Sequence, residues 1–287
     1  MNTNKTKETI KELNISELRP FKGHPYRVVD DEEMDRLVES IEEHGVMTPI
    51  NVRPIDGGYE VISGHRRIHA AKRAGLTTIP AIEMDMTRDQ AAVALVDSNL
   101  HRERLLPSEK AFAYKLKLEA LARQGMRTDL TSDQVGRKLE TAEIIAENTD
   151  DSKTQVRRYI RLTNLIPPLL RMVDEERIAF TPAVELSYLT QEEQEMLFTE
   201  IGVTLATPSL SQACRLKRLS GEGKLDEETI TAIMAEEKPN QKERVSVPLS
   251  ALKGKVPDSY TDKQLQDYVI KAVDHYHRYL MRQREVR

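Results

Sequence analysis

Apolar residues in the first hundred positions alternate between helical and strand spacing. Between residues 31 and 44 they recur on one helical face before Gly45, at Met34, Leu37, Val38 and Ile41. Strand patterns follow at Ile50–Arg53 and Tyr59–Ile62, joined by the turn signal Asp56-Gly57-Gly58. A helix ending at Ala74 and a strand over Ile79–Met84 come next. The pattern predicts a mobile tail over residues 1–14 and an α+β domain, a small mixed sheet with helices, over residues 15–100.

Strand patterns disappear after this point. Helical patterns cover Thr87 to Ser98 and Ser108 to Gln124, and shorter ones continue to about residue 237. Three proline-containing pairs are typical of helix starts, at Pro167-Pro168, Thr181-Pro182 and Thr207-Pro208. We therefore expect an all-α domain over residues 101–237.

The last part of the chain, residues 238–287, predicts a small α(+β) segment. It starts with a plausible linker at Lys238–Gln241 and a brief strand at Val245–Val247. Asp262 to Arg284 then form an amphipathic helix, with its apolar side at Leu265, Val269, Ala272, Val273, Tyr276 and Leu280. That side could pack on its own domain or on a second copy of the chain.

Composition narrows the class of protein. The chain has 287 residues and a net charge of −4, which argues against a protein that coats DNA along its whole surface but not against a local basic patch. No apolar run approaches the length of a membrane span, and the N-terminal residues lack the apolar core of a signal peptide. The single cysteine, Cys214, excludes an internal disulfide and a multi-cysteine metal site. We expect a cytoplasmic protein with no membrane partner.

The most informative stretch is the turn Ser63-Gly64 followed by paired arginines. The first turn of a helix offers unpaired N–H groups and a positive dipole end, and Gly64 lets a ligand approach the backbone closely. The guanidinium groups of Arg66 and Arg67 match phosphate oxygens. The stretch therefore indicates a polyphosphate site. Taken alone, it fits a strand that runs into a solvated basic helix equally well.

Residues 141–162 have the layout of a helix-turn-helix. Ile144 and Ile145 mark a short helix, a polar turn runs from Asn148 to Asp151, and Ser152 is a good N-cap for a second helix. The second helix of such a motif enters the major groove of DNA. Its candidate DNA-binding residues are Lys153, Thr154, Gln155, Arg157, Arg158 and Arg161. An ordinary helical hairpin with a solvated basic face is the alternative.

Three motifs in order carry a resemblance to a known family. They are Gly45-Val46-Met47-Thr48-Pro49-Ile50, Gly64-His65-Arg66-Arg67, and Asn99-Leu100-His101-Arg102. With the helix-turn-helix that follows, their order resembles the ParB/RepB family of DNA partition proteins, from about Ile15 to about Leu189. Three spaced motifs are much more specific than one.

The resemblance implies the ligands and partners of the chain. The N-terminal domain of that family binds CTP with magnesium, and CTP closes the dimer as a clamp around DNA. We therefore expect double-stranded DNA as a partner, a homodimer, a ParA-type ATPase partner, and a location at the nucleoid or on a plasmid. Whether the DNA is a chromosome, a plasmid or another mobile element stays open.

The same resemblance implies a role for individual residues. Thr48, Pro49 and Ile50 would line the base and ribose, while Gly64, His65, Arg66 and Arg67 would form the phosphate box. Asn99 would help to position magnesium, and Arg102 would add positive charge.

Two positions depart from the family pattern. His65 and Ser98 stand where the family usually has glutamates, and the glutamate at the Ser98 position is implicated in hydrolysis. A serine without a partner is not a general base at neutral pH, so nucleotide binding is expected and at most a weak CTPase. His65 and His69 are spaced as metal ligands on a helix but lack a third ligand nearby.

Two other functions stay open. One is a nucleotide-dependent serine kinase on the same N-terminal fold, with a carboxylate such as Asp97 as the base. The other is a transcriptional regulator that binds DNA without a nucleotide switch.

Overall fold

The computed structural model describes residues 9–100, 105–125, 142–147, 149–236 and 262–285. By their packing these residues belong to two compact units, Met1–Glu236 and Glu237–Arg287. The first unit holds the sheet and most of the described helices, and the described residues of the second unit, 262–285, form one long helix. Within the described segments, every helix is too short or too polar to cross a membrane.

The first unit begins with a five-stranded mixed sheet in the order β1-β5-β3-β4-β2. Its strands are β1 Ile10–Asn14, β2 Leu18–Pro20, β3 Ile50–Ile55, β4 Gly58–Ser63 and β5 Thr78–Glu83. The pairs β1–β5 and β3–β4 are antiparallel, while β3–β5 and β4–β2 are parallel. Because β3 and β4 are antiparallel, the segment before β3 and the turn after β4 lie side by side, with Asn51 opposite Ser63.

Helices cover both faces of this sheet and continue beyond it. They are α1 Glu32–His44, α2 His65–Arg73, α3 Arg88–Leu100, α4 Pro107–Gly125, α5 residues 142–147, α6 Lys153–Leu162, α7 Pro167–Asp174, α8 Phe180–Leu186, α9 Gln191–Thr204, α10 Leu210–Gly221, α11 Glu227–Met234 and α12 Asp262–Glu285. This arrangement confirms the predicted fold class, an α+β part followed by a helical part.

Alternation along β4 distributes side chains between two cores. Val61 packs with β3, β5 and α2 in one cluster, whereas its neighbour Ile62 packs with α3 and α4 on the other face. Because successive strand residues point to opposite faces, one strand supports both layers. Ala111 of α4 joins the large core of the helices after α6, so α4 belongs to both halves of the first unit.

Helix ends follow local signals. Asp31 caps α1 by accepting a hydrogen bond from the Met34 N–H at 2.8 Å, and Gly45 ends the helix with φ 70°. Thr190 and Ser209 open α9 and α10 with capping boxes. Each of these signals can be read from the sequence.

Some predicted boundaries were wrong. The predicted mobile tail extended to residue 14, but β1 pairs with β5 from Ile10 onward. Pro208 does not start a helix, because it precedes the N-cap Ser209. Of the two residues that mark the first helix of the predicted helix-turn-helix, Ile145 is buried and Ile144 is 46% exposed.

The amphipathic helix predicted in the C-terminal segment is α12. Its residues Val273 and Tyr276, predicted on the apolar side, are both 61% exposed. The predicted linker and the strand at 245–247 lie outside the described residues. The role of α12 in dimerisation stays a prediction.

The turn from β4 into α2 is sterically constrained. Gly64 has φ 105°, a left-handed value that side-chain-bearing residues rarely adopt. A Cβ added there would lie 2.5 Å from Ile50 Cγ2, in the next strand. The start of α2 therefore lies directly against β3.

We predict that Gly64→Ala destabilises the protein more than Gly45→Ala does. Both positions have positive φ, so both substitutions carry a backbone strain of about 1–3 kcal/mol. Only Gly64 also has a neighbour in the way, since nothing lies within 4 Å of a Cβ at Gly45. We expect about 1–3 kcal/mol of additional loss from overpacking. Urea unfolding followed by circular dichroism measures the difference, and equal losses would contradict the steric argument.

Candidate nucleotide and DNA sites

The start of α2 has the properties of an anion site. Gly64 occupies the N-cap position and offers no side chain to accept from the first N–H groups of the helix. The first turn carries no acidic residue, and Arg66 and Arg67 lie within it. The helix dipole, the amides that a first helical turn leaves without an intrahelical partner, and two cations therefore favour the same kind of ligand.

A cavity of about 160 Å³ opens beside this turn. It is lined by His24, Tyr26, Arg27, Val28, Ser63, Gly64, His65, Arg66, Arg67, Ser98 and Asn99. The structure thus brings together five of the residues predicted from the sequence: Gly64, His65, Arg66, Arg67 and Asn99. The lining contains no carboxylate, so its described charged side chains are all cationic or histidine.

The two arginines of the turn have different surroundings. Arg66 is 32% exposed and faces Asp31 at 3.5 Å and Glu33 at 3.4 Å. Long contacts between exposed charges stabilise little, so Arg66 can turn towards another anion. Arg67 instead donates from Nη1 to two backbone carbonyls, at 2.5 Å each. Burial lowers the pKa of its guanidinium from the ordinary value, but arginine stays charged.

The predicted base-lining residues have another role. The carbonyls that Arg67 binds belong to Thr48 and Pro49, which do not line the cavity. Ile50 is fully buried in the sheet core and contacts the Gly64 position instead. The Gly-x-x-x-Pro-Ile motif therefore fixes the α2 turn against β3, and its last three residues do not line this cavity. Their contact with a base and ribose stays a prediction.

Ser98 and Asn99 form the opposite wall. The Ser98 hydroxyl donates to the Leu95 carbonyl at 3.0 Å, and the Asn99 amide donates to the same carbonyl at 2.8 Å. Asn99 also donates to Ser98 Oγ at 3.1 Å and is only 8% exposed. With the amide nitrogen engaged, the Asn99 carbonyl oxygen is the group left for a ligand.

Sequence reasoning missed the loop that forms the third wall. His24, Tyr26, Arg27 and Val28 come from the segment between β2 and α1, in which the sequence analysis identified no site residue. The His24 and His65 rings lie 3.8 Å apart between centroids, so this loop contacts the α2 turn directly. The signal that the sequence offered for this wall was Arg27, a cationic residue in a proline-containing loop next to the sheet.

The candidate DNA element consists of α5 and α6. Ile145 and Val156, one from each helix, pack on Tyr114 of α4. The turn between them is fastened by Asp151, which accepts from the Tyr114 hydroxyl at 2.6 Å and pairs with Lys110 at 2.6 Å. Burial raises the pKa of the Tyr114 phenol well above its ordinary value, with the Asp151 hydrogen bond as a second cause. The two helices are thus held as a rigid pair.

The predicted basic face of α6 separates into two groups. Thr154 and Arg157 are exposed, and Gln155 lies near them in the first turn after the N-cap Ser152. Lys153 is next to them but pairs with Glu143 of α5.

The other two arginines are anchored to α8. Arg158 donates to the Thr181 hydroxyl at 2.8 Å and lies over the Phe180 ring at 5.0 Å. Arg161 donates to the Ser187 carbonyl at 3.0 Å and lies 3.8 Å from the Tyr188 ring centroid. These contacts hold α6 against α8, because guanidinium groups that stack and donate within the chain position helices. A contact of Arg158 or Arg161 with DNA stays a prediction.

Other predicted site features lie outside the described residues or find no support. Arg102 and the turn residue Asn148 belong to the segments that the structure does not describe. His69 pairs with Asp30 at 2.8 Å, and the hydrogen bond from His69 is the largest cause that lowers the pKa of Asp30. Among the described residues, no group of three or more His, Cys, Asp or Glu side chains could hold a metal ion.

Comparison with known proteins gives consistent matches. The family model for the ParB N-terminal domain matches residues 1–100. Stage 0 sporulation protein J of Bacillus subtilis is 33% identical over 170 residues, which are 59% of this chain and 54% of that protein. The chain thus spans about half the length of that relative.

Two further proteins extend the comparison. The probable chromosome 1-partitioning protein ParB of Deinococcus radiodurans is 30% identical over 212 residues, 74% of this chain and 67% of that protein. The C-terminally truncated ParB of Caulobacter crescentus, solved with CTP-gamma-S, is 26% identical. The match covers 67% of this chain and 98% of that chain, with a TM-score of 0.31. That TM-score supports no structural argument. The sequence relatives, together with the three ordered motifs, show that the chain belongs to the ParB family of DNA partition proteins.

Proposed function

We propose that this chain is a DNA partition protein that binds CTP at the start of α2 and double-stranded DNA through α6. The observation that carries the nucleotide half is the cavity at the uncapped start of α2, where Gly64 and Arg66 meet Asn99. The resemblance to the family supplies CTP as the nucleotide, a homodimer as the acting form and clamp closure as the switch. It also supplies the ParA-type ATPase as a further partner.

Each wall of the cavity has a distinct task in this proposal. The α2 amides and Arg66 bind phosphate oxygens, since both are hydrogen-bond donors next to a positive helix end. Arg67 mainly holds the Thr48-Pro49 carbonyls, so it keeps the turn in place beneath the phosphates.

Magnesium fits the wall that Ser98 and Asn99 form. Mg²⁺ in nucleotide sites keeps several waters and takes few protein ligands besides phosphate. The carbonyl oxygen of Asn99 is the protein group that would hold the ion or one of its waters. When bound, the ion would neutralise phosphate charge beside the two arginines.

In this proposal the chain binds the nucleotide and hydrolyses it slowly or not at all. The Ser98 hydroxyl donates its proton to the Leu95 carbonyl, and the described lining holds no carboxylate that could activate water. The nucleotide would therefore act by its presence, with hydrolysis slow or absent.

The serine kinase alternative loses its candidate base. Asp97 does not line the cavity; it pairs with Lys117 of α4 at 2.5 Å. Lys117 is only 2% exposed and needs this carboxylate, because a buried charge without a partner is strongly destabilising. Asp97 thus holds α3 to α4, which favours the DNA-binding functions over the kinase.

The DNA half of the proposal rests on α6. Its N-terminal half presents Thr154 and Arg157 outward from a pair of helices that both pack on Tyr114 of α4. Insertion of this half into the major groove would place Gln155 and Arg157 at base edges, where they pair with adenine and guanine. A transcriptional regulator would use the same contacts, and it differs in showing no response to CTP.

We predict that the protein binds CTP more tightly than ATP or GTP. We also expect Arg66→Ala to weaken CTP binding about tenfold or more, because a charge-assisted hydrogen bond is lost. Isothermal titration calorimetry with each nucleotide and Mg²⁺ makes the measurement. Lys72→Ala is the matched control, since Lys72 is an exposed cation in the last turn of the same helix. Equal binding of the three nucleotides would rule out CTP selectivity, and no binding would remove the nucleotide switch.

We also predict that Arg157→Ala and Arg158→Ala differ in kind. Arg157→Ala should weaken binding to a duplex selected from a random pool by about 1–3 kcal/mol and leave the Tm unchanged. Arg158→Ala should lower the Tm, because it removes the contacts with Thr181 and Phe180. Fluorescence anisotropy and thermal unfolding separate the two effects, with Arg171→Ala on α7 as the control. Unchanged DNA affinity in Arg157→Ala would exclude α6 as the reading helix.

A further inference from the structure

A buried polar cluster lies where the cavity loop meets the helices that follow α4. Asp174, the last residue of α7, accepts from Arg27 Nη2 at 2.9 Å, and also from the Ser108 amide and hydroxyl at 2.9 and 2.7 Å. Glu109 accepts from the Arg27 amide at 2.7 Å and from the Leu106 amide at 3.2 Å. Two carboxylates thus join the cavity loop, the start of α4 and the end of α7.

Burial makes this cluster energetically important. The Asp174 side chain is 5% exposed and Glu109 is 7% exposed. A carboxylate removed from water needs a cation or several donors to stay charged. Asp174 has both, since Ser108 supplies two donors and Arg27 supplies a cation.

Arg27 belongs to two sites at once. It lines the cavity with Gly64 and Arg66, and 51% of its side chain is exposed, so it has room to move. Its guanidinium is neutralised by Asp174 as the structure stands. A phosphate in the cavity would offer Arg27 a stronger acceptor than a carboxylate already shared with Ser108.

We propose that Arg27 is a phosphate-binding residue shared between the nucleotide and Asp174, and that this shared arginine links the nucleotide cavity to the end of α7. A nucleotide that draws Arg27 away leaves Asp174 buried with its Ser108 donors alone. The contact between the cavity loop and α7 weakens as a result. Because linkage is reciprocal, whatever holds α7 to the loop also opposes nucleotide binding.

The proposal rests on the proposed nucleotide binding at α2 and deepens it. It assigns a role to a loop arginine outside the three family-like motifs and to a carboxylate 147 positions away in sequence. Since α7 follows α6 directly, the link gives the nucleotide a physical path to the proposed DNA-binding helices.

A double-mutant cycle on CTP affinity tests the link. Calorimetry with CTP and Mg²⁺ is run on the full chain, on Asp174→Asn, on Arg27→Gln and on the double variant. Asp174→Asn keeps an oxygen for Ser108 but releases Arg27, so CTP should bind at least about fivefold tighter, the lower end of measured coupling between linked sites. Arg27→Gln should weaken CTP about tenfold. In the Arg27→Gln background, Asp174→Asn should change nothing.

Comparing the effect of Asp174→Asn with and without Arg27 separates competition for Arg27 from simple removal of a negative charge. Loss of a negative charge near an anion site could raise affinity at a distance, but that effect would persist without Arg27. Glu175→Gln is the matched control, because Glu175 is the next residue, is exposed and faces Arg177. An equal gain in both backgrounds, or the same gain in Glu175→Gln, would overturn the proposal.

Two outcomes keep the test decisive. If the wild-type chain binds no CTP, the proposed function fails before the link is tested. If Asp174→Asn does not fold, Arg27→Gln still tests the shared arginine, because Asp174 keeps its two Ser108 donors in that variant and the glutamine amide is a further donor. A CTP affinity within about twofold of wild type in that variant would exclude Arg27 as a phosphate ligand.

Discussion

The rest of the proposed nucleotide site depends on how closely Gly64 approaches Ile50. Only a residue without a Cβ allows β4 to turn into α2 at this distance from β3. The approach brings Arg67 within reach of the Thr48 and Pro49 carbonyls, and those hydrogen bonds fix the loop before β3. The open amides of α2 therefore face a cavity whose other walls, from α3 and the 24–28 loop, are already in place. One steric constraint thus organises donors from several separate parts of the chain.

Hydrophobic spacing predicted the elements well, because it records which face of a helix or strand is buried. The predicted helix over 31–44 is α1, and the two strands around Asp56-Gly57-Gly58 are β3 and β4. β1 was missed because only Leu13 of its five residues is buried, so an edge strand shows no alternation. The cavity loop was missed because it has no regular period at all. Its position depends on Tyr26 and Phe21 packing against α3, contacts that lie far apart in sequence.

Site residues were predicted less completely than elements, and the arginines show why. Spacing identifies a cation on a helix face but does not identify its partner. Arg158 and Arg161 look like DNA-binding residues, yet their partners come from α8, 23 and 26 residues later. Arg67 looks like a phosphate ligand, yet two carbonyls 18 and 19 residues earlier occupy it. In each case the chain supplies an acceptor that the local pattern cannot reveal, and the cation becomes part of the framework.

This internal use of cations bears on how a chain with a net charge of −4 could recognise two polyanions. Around the proposed sites, carboxylates hold the cations before any ligand is bound: Asp31 faces Arg66, Asp174 binds Arg27 and Glu143 pairs with Lys153. Binding of a phosphate is then an exchange of one acceptor for another rather than attraction to a bare positive surface. At Arg27, whose carboxylate partner is buried, exchange lowers affinity for stray anions, because the cation must first leave Asp174. It also means that a bound phosphate frees a carboxylate, and where that carboxylate is buried at a helix end, as Asp174 is, the change reaches the next helix.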